Sequence, residues 1–458
     1  MRPRTIRRHA VLAAITAVTV ATTSAVTTTA SASQELPPQT QIIGDFWKGV
    51  RPMLDVPADD DDPSFYQAPS NVDLDTAEPG TVLRERSTKL HVATIELPVT
   101  VTQILYVTTN ALGHKEANVT SVIHPPHGSD GNVVSYQSFY DSSNPDDNPS
   151  RIIAGNFTLG GAITAVETPL IAPALLAGHP VVLSDTEGAN ADFAAGPGYG
   201  RATLDSLRAA IASTTAPVTK TDDIGLLGYS GGAIASNWAA IQLNSYAPDL
   251  SDNIVGVAQG GLFVNPVSNL EYAGSGLLWA GVVAMALASL KNSYDLPIEH
   301  YLTDYGNSVL DDASDLSIIE AVARYPEVRW SDLAKPEYPR PQDVPEVAQV
   351  LEEINMGNWP APSTPMFLFQ GAGGFLEGTP AHPGRGPGDG VMVTKDVRTL
   401  MRDYCEAGTP VEYREYPYAS HVLAAVPWLI EGSLWLEGRF NGAPASDNCS
   451  TIPTGNPL

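Results

Sequence analysis

The alternation of short apolar runs with helix-like segments constrains the fold of this chain more than any other feature of its sequence. Four such runs end at glycine or at polar turn residues: "NVVSYQSFYD", "PVVLSDTEG", "IGLLGYSGG" and "NIVGVAQGG". The segments between them include "GYGRATLDSLRAAIAS" and "AIASNWAAIQL", which have the length and composition of helices. Strands that alternate with such helices predict an α/β fold, with a parallel sheet and crossover helices.

The segments on either side of this stretch extend the predicted sheet. Alternating patterns in "HVATIELPVTVTQILYVTTN" and "ANVTSVIHPP" predict paired antiparallel strands at its start. Near the C-terminus, "MFLFQG" and "VEYREYPY" predict two further strands, and "VPWLIEGSLWLEGRF" predicts a final helix. We therefore expect a mostly parallel central sheet that opens with an antiparallel part.

The β/α alternation stops between Asn265 and Pro362. This segment is helical in character and includes "SGLLWAGVVAMALASLKN" and "DDASDLSIIEAVARYPEV". We interpret residues 265–362 as a helical cap inserted between two parts of one core, 33–264 and 363–458. The uncharged stretch from Gly276 to Leu290 either lines an acyl tunnel or touches a lipid surface, or it is a buried helix of the cap.

The first 32 residues have the pattern of a secretory signal peptide. Four arginines among the first eight residues precede the apolar run "AVLAAITAVTVATTSAV", and Ala30-Ser31-Ala32 has the small residues of a cleavage site. The run is short and rich in threonine, which disfavours a transmembrane anchor. We therefore expect a secreted, extracellular protein. Arg7-Arg8 also fits a twin-arginine signal, so the export route stays open.

Charge and cysteine content narrow the possible partners. The chain has 25 basic and 51 acidic residues and a formal net charge of −26, so its surface repels nucleic acid and anionic lipid headgroups. We expect a neutral small-molecule ester or lipid substrate, only transient contact with lipid, no nucleic-acid partner, and a monomer. The two cysteines, Cys405 and Cys449, cannot form a zinc cluster alone, and export permits a disulfide between them.

The stretch "GYSGG", residues 228–232, lies between the predicted strand "IGLLGY" and the predicted helix "AIASNWAA". A serine on such a sharp turn needs small residues two positions before and after it, because larger ones would collide with the strand or the helix start. Gly228 and Gly232 meet this need around Tyr229, Ser230 and Gly231. Ser230 is therefore the candidate nucleophile, and the Gly231 N–H at the helix start is a candidate oxyanion donor.

Residues elsewhere in the chain supply the other members of a serine-hydrolase site. His421 in "YPYASHVL" follows the last predicted strand, where a base facing the serine is expected; a packed surface histidine is the alternative. Asp389 in "GDGVMV" is the candidate acid, although an aspartate there also fits a helix cap. The N–H of Asp141 in "SYQSFYDSSNP" is the second candidate oxyanion donor, unless this segment is a plain turn.

Four stretches together resemble the secretory lipase family of yeasts and actinobacteria, of the lipase A type: "VVSYQSFYDSS", "VVLSDTEGANADFAAGPGYGRATLDSLRAA", "GYSGGAIASNWAA" and "YCEAGTPVEYREYPYASH". The resemblance runs from about residue 62 to the C-terminus. It implies an α/β-hydrolase fold with a helical cap, and hydrolysis of triacylglycerols and simpler esters with no cofactor and no metal. It also implies a nucleophile, an acid, a base and two oxyanion donors at Ser230, Asp389, His421, Asp141 and Gly231.

Two details of this resemblance concern single residues. Cys405 lies in a segment that matches a disulfide-bonded cysteine of the family. The loop "GAGGFLEGTPAHPGRGPG" before Asp389 is longer than the family's usual turn, which leaves Glu377 as a competing acid. The separation of Asp389 from His421 is similar to the family's spacing, so we expect Asp389 to be the acid and Glu377 to lie near the pocket mouth.

Three functions are compatible with these residues. The first, which we expect, is a secreted serine ester hydrolase of lipase type that forms an acyl-enzyme on Ser230. The second is a carboxylesterase or acyltransferase on smaller or glycan-linked esters, which would use the same acyl-enzyme. The third is a non-catalytic lipid-binding protein, which is disfavoured because candidates for the nucleophile, the base and the acid are all present.

Overall fold

The computed structural model describes residues 51–52, 54–58 and 62–458. The predicted signal peptide, residues 1–32, lies outside the described residues. One sheet contains the strands β1 (Val82–Val92), β2 (Ile95–Thr109), β3 (Lys115–Ile123), β4 (Asn132–Gln137), β5 (Val181–Ser184), β6 (Asp223–Tyr229), β7 (Ile254–Gly260), β8 (Met366–Gly371) and β9 (Val411–Tyr416). Their order across the sheet is β1-β2-β3-β5-β4-β6-β7-β8-β9.

The sheet is antiparallel at one edge and parallel over the rest. β1, β2, β3 and β5 pair with antiparallel neighbours, whereas β5, β4, β6, β7, β8 and β9 form a parallel series. Strands β4 to β8 are almost wholly buried, which explains why the sequence shows apolar runs there rather than alternation. This arrangement confirms the predicted α/β fold with a mostly parallel central sheet.

The helices that follow β4 cover the sheet and the site. They are α1 (Pro149–Ile153), α2 (Ala162–Glu167), α3 (Ala172–Ala177), α4 (Pro197–Ala212), α5 (Gly231–Tyr246), α6 (Pro266–Ala273), α7 (Ala280–Ser293), α8 (Asp304–Ala313), α9 (Ile318–Arg324), α10 (Trp330–Leu333), α11 (Pro345–Glu353), α12 (Thr394–Glu406) and α13 (His421–Phe440). In the part of the chain that the structure describes, no helix is both long enough and apolar enough to cross a bilayer.

Two helical layers pack on opposite faces of the sheet. Neighbouring side chains of β6 point to opposite faces, so Leu226 belongs to the buried cluster with α4 and α5. Leu227 belongs instead to the cluster with Ala424, Trp428 and Leu436 of α13. The parallel strands are therefore covered on both sides, and their carboxyl ends form the edge where β6 meets α5.

The segment between β7 and β8 forms a separate helical layer. Its helices are α6 to α11, and the described residues of this segment include no strand of the sheet. The layer has its own buried cluster, which includes Met285, Leu310, Leu333 and Val347. A separate helical layer is what the sequence predicts for a cap. The limits of the cap, residues 265–362, stay a prediction.

A disulfide joins α12 to the C-terminal segment. Cys405 near the end of α12 is bonded to Cys449, 44 residues later in the chain. Beyond Cys449, the Asn456 side chain donates a hydrogen bond to Asp396 Oδ1 at 2.7 Å, and Thr399 Oγ1 donates to the Asn456 carbonyl at 2.6 Å. The C-terminal segment after α13 is thus held against α12, at the edge of the sheet that carries β8 and β9.

Replacing both Cys405 and Cys449 with serine is expected to lower the free energy of unfolding by about 4 kcal/mol. The physical reason is that the bond limits the conformations of the unfolded chain over a loop of this length. Urea denaturation of the double variant and of the oxidised wild type measures the difference. A change below about 1 kcal/mol would contradict the expectation, and a single Cys449→Ser variant controls for the effect of a lone thiol.

Candidate active site

Ser230 lies on the sharp turn between β6 and α5. Its backbone has φ 53° and ψ −118°, a conformation that is strained for a residue with a side chain. A Cβ at Gly228 would meet the Gly232 carbonyl, and a Cβ at Gly232 would meet the Gln137 carbonyl. The two outer glycines are therefore required for the reason that the sequence predicts.

Gly231 has a steric role as well as a position at the start of α5. A Cβ at this position would meet the carboxylate of Asp141. Because Gly231 is the first residue of α5, its N–H has no acceptor in a preceding helical turn. This N–H lies beside the Ser230 side chain at the positive end of the helix dipole, where it can donate to an anionic oxygen.

His421 is the first residue of α13, and its imidazole faces Ser230. The Nε2 atom lies 2.8 Å from Ser230 Oγ. Ser420 is the N-cap of the helix and accepts from the Leu423 N–H, while the Tyr229 hydroxyl donates to the His421 carbonyl at 2.6 Å. The imidazole ring is nearly fully buried, between the rings of Tyr229 and Trp279. The imidazole is thus held in one orientation by its helix and by aromatic packing.

Asp389 contacts the other nitrogen of the same ring. Its Oδ2 atom lies 2.8 Å from His421 Nδ1, and its Oδ1 atom accepts from the N–H groups of Val391 and Met392. The Asp389 carbonyl also accepts from the His421 N–H at 2.7 Å. Burial alone would lower the pKa of His421, but the charge and hydrogen bond of the Asp389 carboxylate raise it above its ordinary value.

Glu377, the competing acid, lies close to the site but contacts different groups. Its Oε2 atom accepts from Trp279 Nε1 at 2.8 Å, and its Oε1 atom accepts from the Val422 N–H at 2.9 Å. The structure therefore brings Ser230, His421 and Asp389 together in one hydrogen-bonded series. It places Glu377 beside this series, between the cap and the start of α13.

Asp141 lies in the loop after β4, in a buried and strained position. Its φ is 34°, and its carbonyl accepts from the Ile318 N–H at the start of α9. Among the described residues, its Oδ1 atom has no hydrogen-bond partner. Burial raises the pKa of Asp141 to about 7, although the charge of His421 acts in the opposite direction.

The loop that contains Asp141 is held by contacts that the sequence analysis does not predict. Ser142 pairs with Ser317 in an isolated β-bridge, and the Ser143 N–H donates to the Leu316 carbonyl at 2.8 Å. On the core side, Glu187 Oε2 accepts from the Ser142 N–H at 3.2 Å. The one local sequence signal at this contact is the capping box Ser-x-x-Glu, from Ser317 to Glu320, which marks the start of α9.

A cavity of about 690 Å³ connects the reactive groups with the cap. Asp141, Ser230, Gly231 and His421 line one part of it. Most other lining residues are apolar. They include Leu270, Val282, Val283 and Leu290 of the cap and Phe193 of the loop that precedes α4. The stretch from Gly276 to Leu290 is therefore largely buried, and part of it lines this cavity.

Comparison with known proteins identifies the family. The family model described as secretory lipase matches residues 156–448. The chain belongs to the secretory lipase family. One relative, a probable inactive lipase of Mycobacterium tuberculosis, is 32% identical over 412 residues, which cover 87% of this chain and 85% of the relative. Another, lipase 6 of Candida albicans, is 28% identical over 411 residues, which cover 87% and 84% of the two chains.

A solved lipase structure shares the architecture. The X-ray structure of Candida antarctica lipase A in its closed state matches with a TM-score of 0.74 and 26% sequence identity, over 88% of this chain and 91% of that chain. This match confirms the predicted α/β-hydrolase fold. Membership of the secretory lipase family supports ester hydrolysis as the class of chemistry.

Proposed function

We propose that this secretory lipase is a secreted serine ester hydrolase that cleaves triacylglycerols and related carboxylic esters through an acyl-enzyme on Ser230. The observation that carries the proposal is the series of two 2.8 Å contacts from Ser230 through His421 to Asp389. This is the arrangement that activates a serine hydroxyl. We also propose that residues 1–32 direct export, in keeping with the secretory character of the family.

In the proposed mechanism, His421 moves one proton in each half of the reaction. Ser230 Oγ attacks the ester carbonyl as His421 Nε2 takes its proton, and the imidazolium then gives this proton to the departing alcohol. A water molecule, deprotonated by the same nitrogen, then attacks the acyl-enzyme. The bond between Ser230 Oγ and the acyl carbon breaks, the imidazolium returns its proton to Oγ, and the carboxylic acid is released. Asp389 keeps the proton on Nδ1 and stabilises the imidazolium while it exists.

The negative charge on the oxygen of each tetrahedral intermediate must be stabilised by hydrogen-bond donors. We assign this role to the N–H groups of Gly231 and Asp141. The first lies at the N-terminus of α5, and the second belongs to a loop that is bonded to both the core and the cap. A loop held on two sides pre-organises its N–H, and such donors contribute several kcal/mol to the stability of the transition state.

The apolar lining of the cavity favours esters with an extended apolar acyl chain. The Ser230 hydroxyl lies at the same cavity as side chains of α7 such as Val282, Val283 and Leu290. Each methylene group transferred from water to such surroundings contributes about 0.8 kcal/mol. An acyl chain bound along α7 would therefore gain affinity with length until the cavity is filled.

A hydrolysis profile over esters from acetyl to long acyl chains tests the proposed function. We expect kcat/KM to rise with acyl length for dissolved p-nitrophenyl esters, and we expect triacylglycerol emulsions to be hydrolysed. A preference for acetyl esters, with no activity on emulsions, would instead favour a carboxylesterase.

One relative is named a probable inactive lipase, so a second experiment tests whether Ser230 is reactive at all. This experiment is the labelling of Ser230 by a fluorophosphonate. Folded protein that is not labelled would favour a non-catalytic lipid-binding protein.

The pH dependence of kcat/KM is expected to be bell-shaped. His421 must be neutral to act as a base, so activity falls as pH decreases through its pKa, which lies above the ordinary value. Asp141, whose pKa is raised to about 7 by burial, becomes anionic at higher pH and then opposes a negative charge on the reacting oxygen. Stability of the transition state is therefore lost as pH rises through this value.

Asp141→Asn is the variant that checks the alkaline limb. Asparagine keeps the N–H and tolerates the positive φ, but it cannot ionise. We expect the decline of kcat/KM above about pH 7 to become flatter in the variant. Profiles measured with a dissolved ester avoid effects of pH on an emulsion. An unchanged alkaline limb would show that another group controls it.

A further inference from the structure

The exposed large apolar side chains of this protein are concentrated on one part of its surface. Eleven of the fourteen such side chains among the described residues lie in three segments: 166–176, 375–376 and 418–434. We call the surface formed by these segments the α13 surface. Its members are Val166, Leu170, Leu176, Phe375, Leu376, Tyr418, Val422, Leu423, Val426, Ile430 and Leu434.

Helix α13 forms the centre of this surface. Val422, Val426, Ile430 and Leu434 recur at every fourth residue, so they lie along one face of the helix, and each is between 56% and 68% exposed. The opposite face packs on the sheet through residues such as Trp428, which is 1% exposed. An outward face of a surface helix is usually polar, so packing among the described residues does not explain these four side chains.

Segment 162–179 packs on the same face of the sheet as α13, since Ile171 and Leu175 belong to the buried cluster that contains Trp428 of α13. Near the start of α13, the Phe139 ring contacts Tyr229, and the Phe139 N–H donates to Glu167 at the end of α2. Near the end of α13, His179, just after α3, lies 2.8 Å from Glu437. Val166, Leu170 and Leu176 are therefore exposed apolar side chains of the same helical layer as α13.

The α13 surface reaches the candidate active site at the N-terminal end of α13. Phe375 and Leu376 belong to the same short helical turn as Glu377, whose carboxylate accepts from the Val422 N–H and from Trp279. Trp279 lines the cavity and contacts the ring of His421. The surface is thus continuous with the residues around the reactive groups.

Charge distinguishes this surface from the rest of the chain. The only charged residue of segment 162–177 is Glu167, which is buried and accepts from Tyr136 and Ser138. On α13, Glu431 is paired with Arg414 and Glu437 lies against His179. Apart from Glu437 at the far end of α13, whose His179 partner is shared with Asp130, the described residues of this surface carry no unpaired charge. On a chain with a net charge of −26, such a surface is suited to a neutral apolar phase rather than to an anionic bilayer or a second acidic copy.

From these observations we infer that the α13 surface docks the protein on the surface of neutral lipid, such as a triacylglycerol droplet, and so brings the cavity to its substrate. The inference rests on the proposed function. Binding of this kind scales with the apolar area that leaves water. The residues along α13 supply that area without taking part in the chemistry at Ser230.

The test compares two triple variants of the mature chain. Val426→Gln, Ile430→Gln and Leu434→Gln together remove the apolar face, while Val426→Ile, Ile430→Leu and Leu434→Ile together preserve it at the same positions. Flotation with triolein droplets, in a Ser230→Ala background that prevents hydrolysis, measures binding. Hydrolysis of a trioctanoin emulsion and of dissolved p-nitrophenyl butyrate is measured with Ser230 intact.

We expect the glutamine variant to lower droplet binding and the rate on the emulsion by at least about tenfold, with kcat/KM for p-nitrophenyl butyrate within about twofold of the wild type. The apolar triple variant and Leu112→Gln, at an exposed apolar position in the β2–β3 turn, are expected to behave as wild type. Vesicles of anionic phosphatidylglycerol are expected to bind the wild type weakly.

Three results would overturn the inference. They are unchanged droplet binding by the glutamine variant, binding of the wild type to anionic vesicles but not to triolein, and a wild-type dimer that the glutamine variant dissociates in sedimentation. A wild type that binds droplets but hydrolyses neither substrate would refute the proposed function and leave the docking surface in place. Circular dichroism of both triple variants excludes unfolding as the cause of a loss.

Discussion

Ser230→Ala is expected to lower kcat for ester hydrolysis by at least about three orders of magnitude. The substitution removes only the oxygen that lies 2.8 Å from His421 Nε2. The backbone of residue 230 already has a side chain at φ 53°, so alanine introduces no larger group into the strained turn. Hydrolysis of p-nitrophenyl butyrate measures the loss, and thermal unfolding of both proteins checks that the fold is retained.

Ser245→Ala provides a matched control for this variant. Ser245 is in the same helix, α5, and its hydroxyl donates to the Gln242 carbonyl within that helix. We expect its kcat to stay close to that of the wild type. Retention of most activity by folded Ser230→Ala protein would refute Ser230 as the nucleophile, and equal losses in both variants would indicate a general effect on the helix.

Asp389→Asn is expected to lower kcat by up to about 10⁴-fold. Asparagine has almost the same shape, but it carries no charge to stabilise the imidazolium. Its amide can also donate to His421 Nδ1, which would place the ring proton on the wrong nitrogen. The acid limb of the kcat/KM profile should move to lower pH as well, because Asp389 raises the pKa of His421.

Glu377→Gln is the matched control, because this carboxylate is the rival acid. A glutamine oxygen can still accept from Trp279 Nε1 or from the Val422 N–H, so the local packing is preserved and kcat should change little. If Glu377→Gln were the damaging variant and Asp389→Asn the mild one, both well folded, the roles of the two carboxylates would be exchanged.

The sequence allowed the central sheet and the turn at Ser230 to be predicted, because their signals are local. Each buried strand is a short apolar run that ends at glycine, and the turn needs small residues at two positions next to the serine. The position of His421 followed from the same reasoning, since a base directly after the last strand lies at the carboxyl edge of the sheet.

Contacts between distant parts of the chain could not be predicted in this way. No local pattern shows that Ser142 pairs with Ser317, or that Gly231 must lack a side chain because of the Asp141 carboxylate. The choice between Asp389 and Glu377 also depended on the path of a long loop rich in glycine and proline. In the structure, the Asp389 carboxylate contacts the imidazole of His421, whereas the Glu377 carboxylate contacts the backbone N–H of the next residue, Val422.

The uncharged stretch from Gly276 to Leu290 shows the same limit. Its composition fits a buried helix, an acyl tunnel and a lipid contact equally well, because all three environments are apolar. In the structure, one helix is packed in the cap and also lines the cavity. Five of the fourteen exposed large apolar side chains among the described residues lie instead on α13, whose composition had indicated only a final helix.

The β-bridge between the Asp141 loop and the start of α9 has a consequence for protein engineering. One design for a chimera exchanges the cap of one lipase for the cap of another. Here the Ile318 N–H and the Leu316 carbonyl of the cap are bonded to the loop to which we assign an oxyanion donor. A transplanted cap without an equivalent of residues 316–318 would therefore impair turnover of every ester, short or long, so the junctions of such a chimera should keep this segment with the host core.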